Sequence, residues 1–219
     1  MKKFTIINLS ILALILSCKQ TEEKEELFGF MEAQPSGINN LTKFPNRLLG
    51  KYIEPKDSSI LSISRSTIER TFNFSGKIHL SEAVSIGILD NGFLVDKKTD
   101  ERIPAEKIGD SIRLHFYRTD TIFNLSSKNV LRKFKGYYFL NSLRDSIFWT
   151  TKKLKLEKGK LIITIIDSVQ DFQKLKPIKE NKFDTVAPKY KFKPTKREFR
   201  KFLKEGGFAG KDKIYFKIN

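Results

Sequence analysis

The stretch that decides the fold runs from Leu154 to Ile166 and reads Leu-Lys-Leu-Glu-Lys-Gly-Lys-Leu-Ile-Ile-Thr-Ile-Ile. Two apolar runs flank a short polar loop that contains Gly159. Glycine supplies the positive φ that tight turns between antiparallel strands need. The stretch therefore predicts a β-hairpin.

The same alternation of apolar and polar residues continues outward from this hairpin, from Leu48 to Asp167. Turn signals such as Asp90-Asn91-Gly92 recur at spacings of about 8–14 residues, which is typical of antiparallel meanders. We expect a mainly β fold, a single antiparallel meander closed as a barrel or folded as a sandwich. The predicted strands are 60–64, 112–117, 121–125, 137–141, 148–156, 161–166 and 213–218.

Helix signals are few, and the clearest lies near the C-terminus, at about residues 195–205. Thr195 can cap this helix, Glu198 stands at the capping-box position, and Gly206-Gly207 ends it. Three apolar residues share one face of this helix: Phe199, Phe202 and Leu203. Five cations occupy the rest of its surface: Lys196, Arg197, Arg200, Lys201 and Lys204. The apolar face could pack onto the domain, or the helix could lie on an anionic membrane. A shorter helix is predicted after Ser168, with Asp171 in its first turn.

Two short motifs resemble those of the lipocalin-like, calycin barrels. Gly50-Lys51-Tyr52 is similar to that family's Gly-x-Trp, with tyrosine substituted, and Thr119-Asp120-Thr121 is similar to its Thr-Asp-Tyr, without the aromatic. The order of a meander, a late helix and a closing strand also fits. The resemblance implies a barrel that binds an apolar small ligand.

The N-terminus has the three zones of a secretory signal. Lys2 and Lys3 precede an apolar run of about thirteen residues, shorter than the roughly 20 that span a bilayer. Ile15-Leu16-Ser17-Cys18 resembles the lipobox of bacterial lipoproteins. That resemblance implies removal of residues 1–17, lipid on Cys18, and attachment to a membrane. Cys18 is the chain's one cysteine, which excludes an intrachain disulfide.

Residues 18–46 are polar and are predicted to form a flexible lipidated tether, followed by a globular domain over 47–219. Lys19 does not match the aspartate that retains lipoproteins in the inner membrane, so the outer membrane is implied, at its periplasmic face or at the cell surface. The acidic run Glu22 to Glu26 resembles a surface-export tag. It could equally be part of a solvated tether.

The chain carries 42 basic and 25 acidic residues, a net charge of +17. The first 46 residues hold five of each, so the excess lies in residues 47–219. A signal peptide implies export, and an exported chain does not meet nucleic acid, which would otherwise be the first expected partner of so basic a protein. Anionic envelope glycans or lipids are then the expected partners. The other interpretation is that lysine fills solvated strand faces.

Motifs for catalysis are lacking: there is no phosphate loop, no nucleophile elbow and no His-Glu-x-x-His. His79 and His115 are the two histidines, too few for a typical zinc site. We therefore predict no metal, no cofactor and no catalytic residue, and a non-catalytic binding domain. A hydrolase of envelope or extracellular glycans, using two carboxylates, stays open. So does a structural subunit of an envelope complex.

One triplet recurs: Asp, then Ser or Thr, then an aliphatic residue. It resembles the O-glycosylation acceptor that some diderm bacteria use on exported proteins. Turn chemistry is the alternative, because Asp and Ser or Thr favour turns before strands. The candidate acceptors are Ser111, Thr121, Ser146, Ser168 and Thr185.

Overall fold

The computed structural model describes residues 28–167, 169–178, 180–182 and 190–218, which form a mainly β fold. The three α-helices, α1 to α3, are Leu80–Ile86, Gln170–Leu175 and Lys196–Lys204, and a 3₁₀ turn spans Asn46–Leu48. The strands β1 to β15 are Phe28–Phe30, Gly50–Ile53, Ile60–Ile63, Thr67–His79, Gly87–Asp90, Phe93–Asp96, Arg102–Ile108, Ser111–Asn124, Asn129–Phe134, Tyr137–Arg144, Phe148–Glu157, Lys160–Thr164, Glu180–Lys182, Tyr190–Phe192 and Asp212–Ile218.

The strands belong to one extended sheet, in the order β13-β14-β1-β11-β12-β15-β2-β3-β4-β8-β7-β6-β5, with the β9–β10 hairpin joined to β11. Neighbours are antiparallel except for β1 and β14, which run parallel. The prediction of a mainly β fold with a short C-terminal helix is confirmed. The sheet is open, which agrees with the sandwich alternative and contradicts the closed barrel.

The sheet folds over so that its strands face each other across the main core, but it does not close into a barrel. Inward side chains from β2, β3, β4, β8 and from β9 to β12 meet in one cluster. The edges of β8 and β9 do not pair with each other; the residues from Leu41 to Phe44 lie between them. Leu41 bridges to Leu131, and the buried Phe44 ring lies 6.1 Å from that of Phe123.

Large side chains fill this main core. Tyr52 and Tyr138 are fully buried, and each hydroxyl has a partner: Tyr52 donates to the carbonyl of Leu48 at 2.9 Å, and Arg47 donates to Tyr138 at 2.8 Å. Each buried apolar side chain contributes roughly 1.5–3 kcal/mol. The interior is thus a packed core.

A second cluster, the phenylalanine core, holds α3 against β1, β10 and β14. Phe199 lies 6.4 Å from Phe30 and 5.2 Å from Phe139, ring centre to ring centre, both edge to face. Such pairs add about 0.5–1.5 kcal/mol beyond area burial. Phe199 and Phe202 are buried, so the prediction that α3 packs onto the domain is confirmed.

The prediction of a flexible tether over residues 18–46 does not hold for residues 28–46. Phe28 and Phe30 form a buried strand, and Gln34 is fully buried. Arg132 donates to the carbonyls of Ala33 and Pro35 and to the side chain of Asn40. A few aromatic and hydrogen-bonding residues order this stretch in spite of its polar composition. Residues 1–27 lie outside the described residues.

The two longest strands, β4 and β8, extend beyond the main core as a hairpin. Past Thr71 they pair with each other and with no other described strand until β7 joins β8 at Leu114. We call residues 72–75 with 115–118 the neck, and residues 76–114 the tip. The tip has its own small core around Ala83, Leu94 and Ile112.

Candidate functional site

One face of the neck is a row of aromatic rings. Phe74 and Phe116 are directly opposite in the register, and their rings stack with centroids 4.8 Å apart and planes 13° from parallel. The Arg70 guanidinium lies 4.6 Å from the ring centre of Phe72, on the same face. Phe74 is still 55% exposed, because no other described element covers the neck on this side.

The opposite face of the neck is also aromatic. Tyr117 is 66% exposed and lies opposite Asn73, which is exposed as well. His115 follows on this face, opposite Ser75. A two-stranded ribbon cannot bury both of its faces, so the neck presents large rings to solvent on each side.

Apolar side chains continue from the neck onto the tip. Val84 and Ile86, in the second half of α1, are exposed, and so are Ile88 and Leu89 of β5, Ile88 at 62%. Among the described strands β5 pairs with β6 alone, so its other edge carries unpaired backbone groups. Exposed apolar patches and open strand edges are typical of surfaces that bind other proteins.

The tip differs from the rest of the chain in charge. Residues 76–114 contain six basic and seven acidic residues, a net charge of −1, against +17 for the whole chain. The cationic excess therefore lies outside the tip. The neck and tip thus form a surface of nearly zero net charge, with exposed apolar side chains, attached to a strongly basic body.

The outward face of α3 is the clearest cationic surface. A depression of about 450 Å³ is lined by Thr195, Glu198 and four cations: Arg197, Arg200, Lys201 and Lys204. Thr195 caps the helix, and the Glu198 carboxylate accepts hydrogen bonds from the Thr195 backbone and hydroxyl at 2.8 Å. These bonds lower the pKa of Glu198.

Two carboxylates meet at one end of the main core. Arg70 forms ion pairs with both Glu54 and Asp57, and it donates to the Ser59 hydroxyl at 2.8 Å. Burial acts to raise the pKa of Asp57, but hydrogen bonds from Ser59 and the charge of Arg70 outweigh it and lower that pKa. A glycosidase acid needs a raised pKa and a free proton. Glu54, Asp57 and Arg70 therefore form a structural ion-pair cluster at the edge of the core.

A buried carboxylate lies beside the phenylalanine core. Asp171 accepts hydrogen bonds from the backbone of Asp167 at 2.7 Å and of Ala209 at 2.9 Å, and burial raises its pKa. Lys174 lies 3.8 Å from its second oxygen and donates to the carbonyl of Gly206. Asp171 thus ties α2 to the loop that follows α3.

The histidines do not converge. His79 accepts from the backbone of Ser81 at the start of α1, whereas His115 lies in the neck. In the part of the chain that the structure describes, no group of three or more His, Cys, Asp or Glu side chains could hold a metal ion. No helix there is long and apolar enough to cross a membrane.

The Asp-Ser/Thr triplets fall in different settings. Asp110 lies in the turn before β8 and Ser111 is half-buried; Asp145 and Ser146 form a turn with φ of 48° and 58°. The Asp167 carboxylate accepts from the backbone of Val169 and Gln170, in the turn that leads into α2. The aspartates of these three triplets thus lie at turns or before a helix, as the alternative of turn chemistry expects.

The triplet at Asp120-Thr121 does not lie at a turn. It is within β8, next to a bulge in the pairing with β4, and Thr121 is exposed. Ser146 is exposed too. Ser168, Thr185 and the lipidation candidate Cys18 lie outside the described residues.

Neither the exposed aromatic rings of the neck nor the ion pairs of Arg70 were predicted from the sequence. Phe72, Phe74 and Phe116 follow the ordinary alternation of a strand, which predicts a buried face. The missing information is that no neighbouring strand covers them.

No protein-family model matches this chain, and no curated protein or solved structure matches it either.

Proposed function

We propose that this chain is a lipid-anchored cell-envelope protein that binds a partner protein, without catalysis, through its neck and tip. Lipid on Cys18 holds it to the outer membrane, at the periplasmic face or at the cell surface. The observation that carries the binding role is the exposure of Phe74 and Tyr117 on opposite faces of a two-stranded ribbon.

A protein fits this surface better than a small molecule does. Small ligands bind in concave pockets, whereas the neck projects and presents rings on both sides. Aromatic residues are enriched at the energetic centres of protein interfaces. The neighbouring open edge of β5 can accept a strand of the partner. A glycan hydrolase receives no support from the Glu54 and Asp57 pair, because Arg70 forms ion pairs with both and the pKa of Asp57 is lowered.

The experiment is site-specific crosslinking in the protein's own host. A photoreactive amino acid at Asn73 should capture one defined protein, whereas the same group at Lys56, exposed on another loop, should not. The double variant Phe74→Ser with Tyr117→Ser should abolish the product from Asn73. The matched control, Ile147→Ser with Phe216→Ser, removes two other exposed apolar side chains and should leave the product intact.

Both double variants should keep their free energy of unfolding within roughly 1 kcal/mol, since exposed substitutions cost about 0.5 kcal/mol each. The proposal fails if the Asn73 product persists in the neck variant, or if both variants lose it equally.

A further inference from the structure

We infer that the basic face of α3 rests on the anionic phospholipid headgroups of the leaflet that holds the lipid on Cys18. The inference depends on the proposed anchoring and adds an orientation to it. We define the basic face by Arg197, Arg200, Lys201 and Lys204, which line the depression on α3.

The first argument is the shortness of the linker. Because β1 begins at Phe28, about ten residues separate Cys18 from the folded domain, and a chain of that length spans at most about 35 Å. A tether that continued to residue 46 could span up to about 100 Å. The folded chain therefore starts near the bilayer.

The second argument is the place where that linker ends. Phe28 packs edge to face on Phe30, which in turn packs edge to face on Phe199 of α3. All three rings belong to the phenylalanine core. Phe28 also packs on Phe172 of α2, with ring centres 6.1 Å apart. The lipid on Cys18 thus brings α2 and α3, more directly than α1, to the membrane surface.

The third argument is charge. With Phe199 and Phe202 turned inward, all four cations of the basic face are exposed. Two acids belong to this helix region, Glu198 in the capping box and Glu205 at 3.7 Å from Lys201. Against the four cations they leave a net excess of two positive charges. Lys193, before the helix, and Lys196, its first residue, are exposed as well. Such a face attracts anionic headgroups when it lies within a Debye length, about 8 Å at physiological salt.

The test uses the mature chain carrying Cys18→Ser, so that binding does not come from the lipid. At low salt it should bind vesicles that contain phosphatidylglycerol and not vesicles of phosphatidylcholine alone. The variant Arg197→Glu, Arg200→Glu, Lys204→Glu should weaken this binding about tenfold or more. The matched variant Lys56→Glu, Lys98→Glu, Lys128→Glu makes the same change in charge at exposed loops and should weaken it less than about threefold.

Glutamine at the three α3 positions should give an intermediate loss, which guards against an effect of unfolding. In the lipidated protein on phosphatidylglycerol vesicles, Lys201 and Lys204 should be protected from an amine-reactive reagent relative to Lys56 and Lys98. Equal losses in the two glutamate variants, no binding to phosphatidylglycerol, or equal labelling of these lysines would overturn the inference. Incorporation of labelled fatty acid at Cys18 tests the anchor separately, so the two failures are distinguishable.

Discussion

Asn141 and Gln34 exchange two hydrogen bonds although 107 positions separate them: Gln34 N donates to Asn141 Oδ1 at 2.7 Å, and Asn141 Nδ2 donates to the Gln34 carbonyl at 2.8 Å. The Thr151 hydroxyl donates to the same Asn141 oxygen at 2.7 Å. Asn141 and Gln34 are fully buried. The Asn141 side chain therefore bonds to the Gln34 backbone as a neighbouring β-strand would, and it holds this N-terminal segment in the fold.

Asn141→Ala should lower the free energy of unfolding by about 3 kcal/mol, because it leaves buried groups of Gln34 and Thr151 without partners. Urea denaturation of the mature chain measures the loss. Asn124→Ala, at an exposed position, should change stability by about 0.5 kcal/mol or less. Similar losses in the two variants would contradict this role of Asn141.

Asp171 should make stability fall as pH rises above about 4. Burial raises its pKa in the folded state, so over the interval between the unfolded and folded pKa values the folded chain binds more protons than the unfolded chain. Asp171→Asn cannot ionise and should gain stability relative to the wild type across that interval. Denaturant unfolding at a series of pH values provides the measurement; a constant difference between the two proteins would argue against a raised pKa.

Thr195→Ala should cost about 1 kcal/mol at neutral pH, since it removes the cap of α3. The pKa of Glu198 is lowered, whereas that of Asp171 is raised, so the two acids affect stability in opposite directions. The stability that Glu198 contributes is present above its unfolded pKa and is lost as pH falls through its folded pKa. The cost of Thr195→Ala should therefore shrink in acid. Thr119→Ala, at an exposed strand position, serves as the control, and a cost that stays the same in acid would rule out the reciprocal cap.

Cys18→Ser should abolish incorporation of labelled palmitate and release the chain from membranes, because no other cysteine can accept the lipid. Fractionation of host cells with labelled fatty acid decides the matter. Label that still enters the variant would refute the lipobox assignment. A variant with Lys19→Asp should keep its lipid and move to the inner membrane.

If the triplets are glycosylation acceptors, protein from its own host should be heavier than the lipidated polypeptide. The sugar should lie first on Thr121 and Ser146, which are exposed, and less on half-buried Ser111. Ser168 and Thr185 remain predicted acceptors on sequence grounds. Intact mass and peptide mapping give the answer, and a mass equal to polypeptide plus lipid would leave turn chemistry as the sole explanation.

Local patterns predicted much of this fold. The hairpin at 154–166 is confirmed as β11 and β12, with Lys158 at φ 47° and Gly159 at φ 77° in its turn. The Thr195 cap is also confirmed. Both depend on residues close in sequence. The N-terminal strand was not predicted, because its order comes from distant partners such as Trp149 and Phe192.

The candidate site was less accessible to sequence reasoning for the same reason. Phe74 and Tyr117 look like core residues of a long strand, and only the end of pairing at Thr71 and Leu114 leaves them in solvent. The partners of Arg70 are likewise brought together by strand register. The cations of α3 were identified from sequence, whereas their closeness to the start of the folded chain was not.

The parallel pairing of β1 with β14 has a consequence for the order of events during synthesis. Phe28 lies opposite Tyr190, which is made 162 positions later in the chain. Until then Phe28 and Phe30 lack their buried environment, and contacts between distant residues form slowly. Phe28 and Phe30 therefore stay exposed on the nascent chain until β14 is made, and exposed apolar side chains favour aggregation. A chaperone that covers Phe28 and Phe30 until β14 is made would prevent this aggregation.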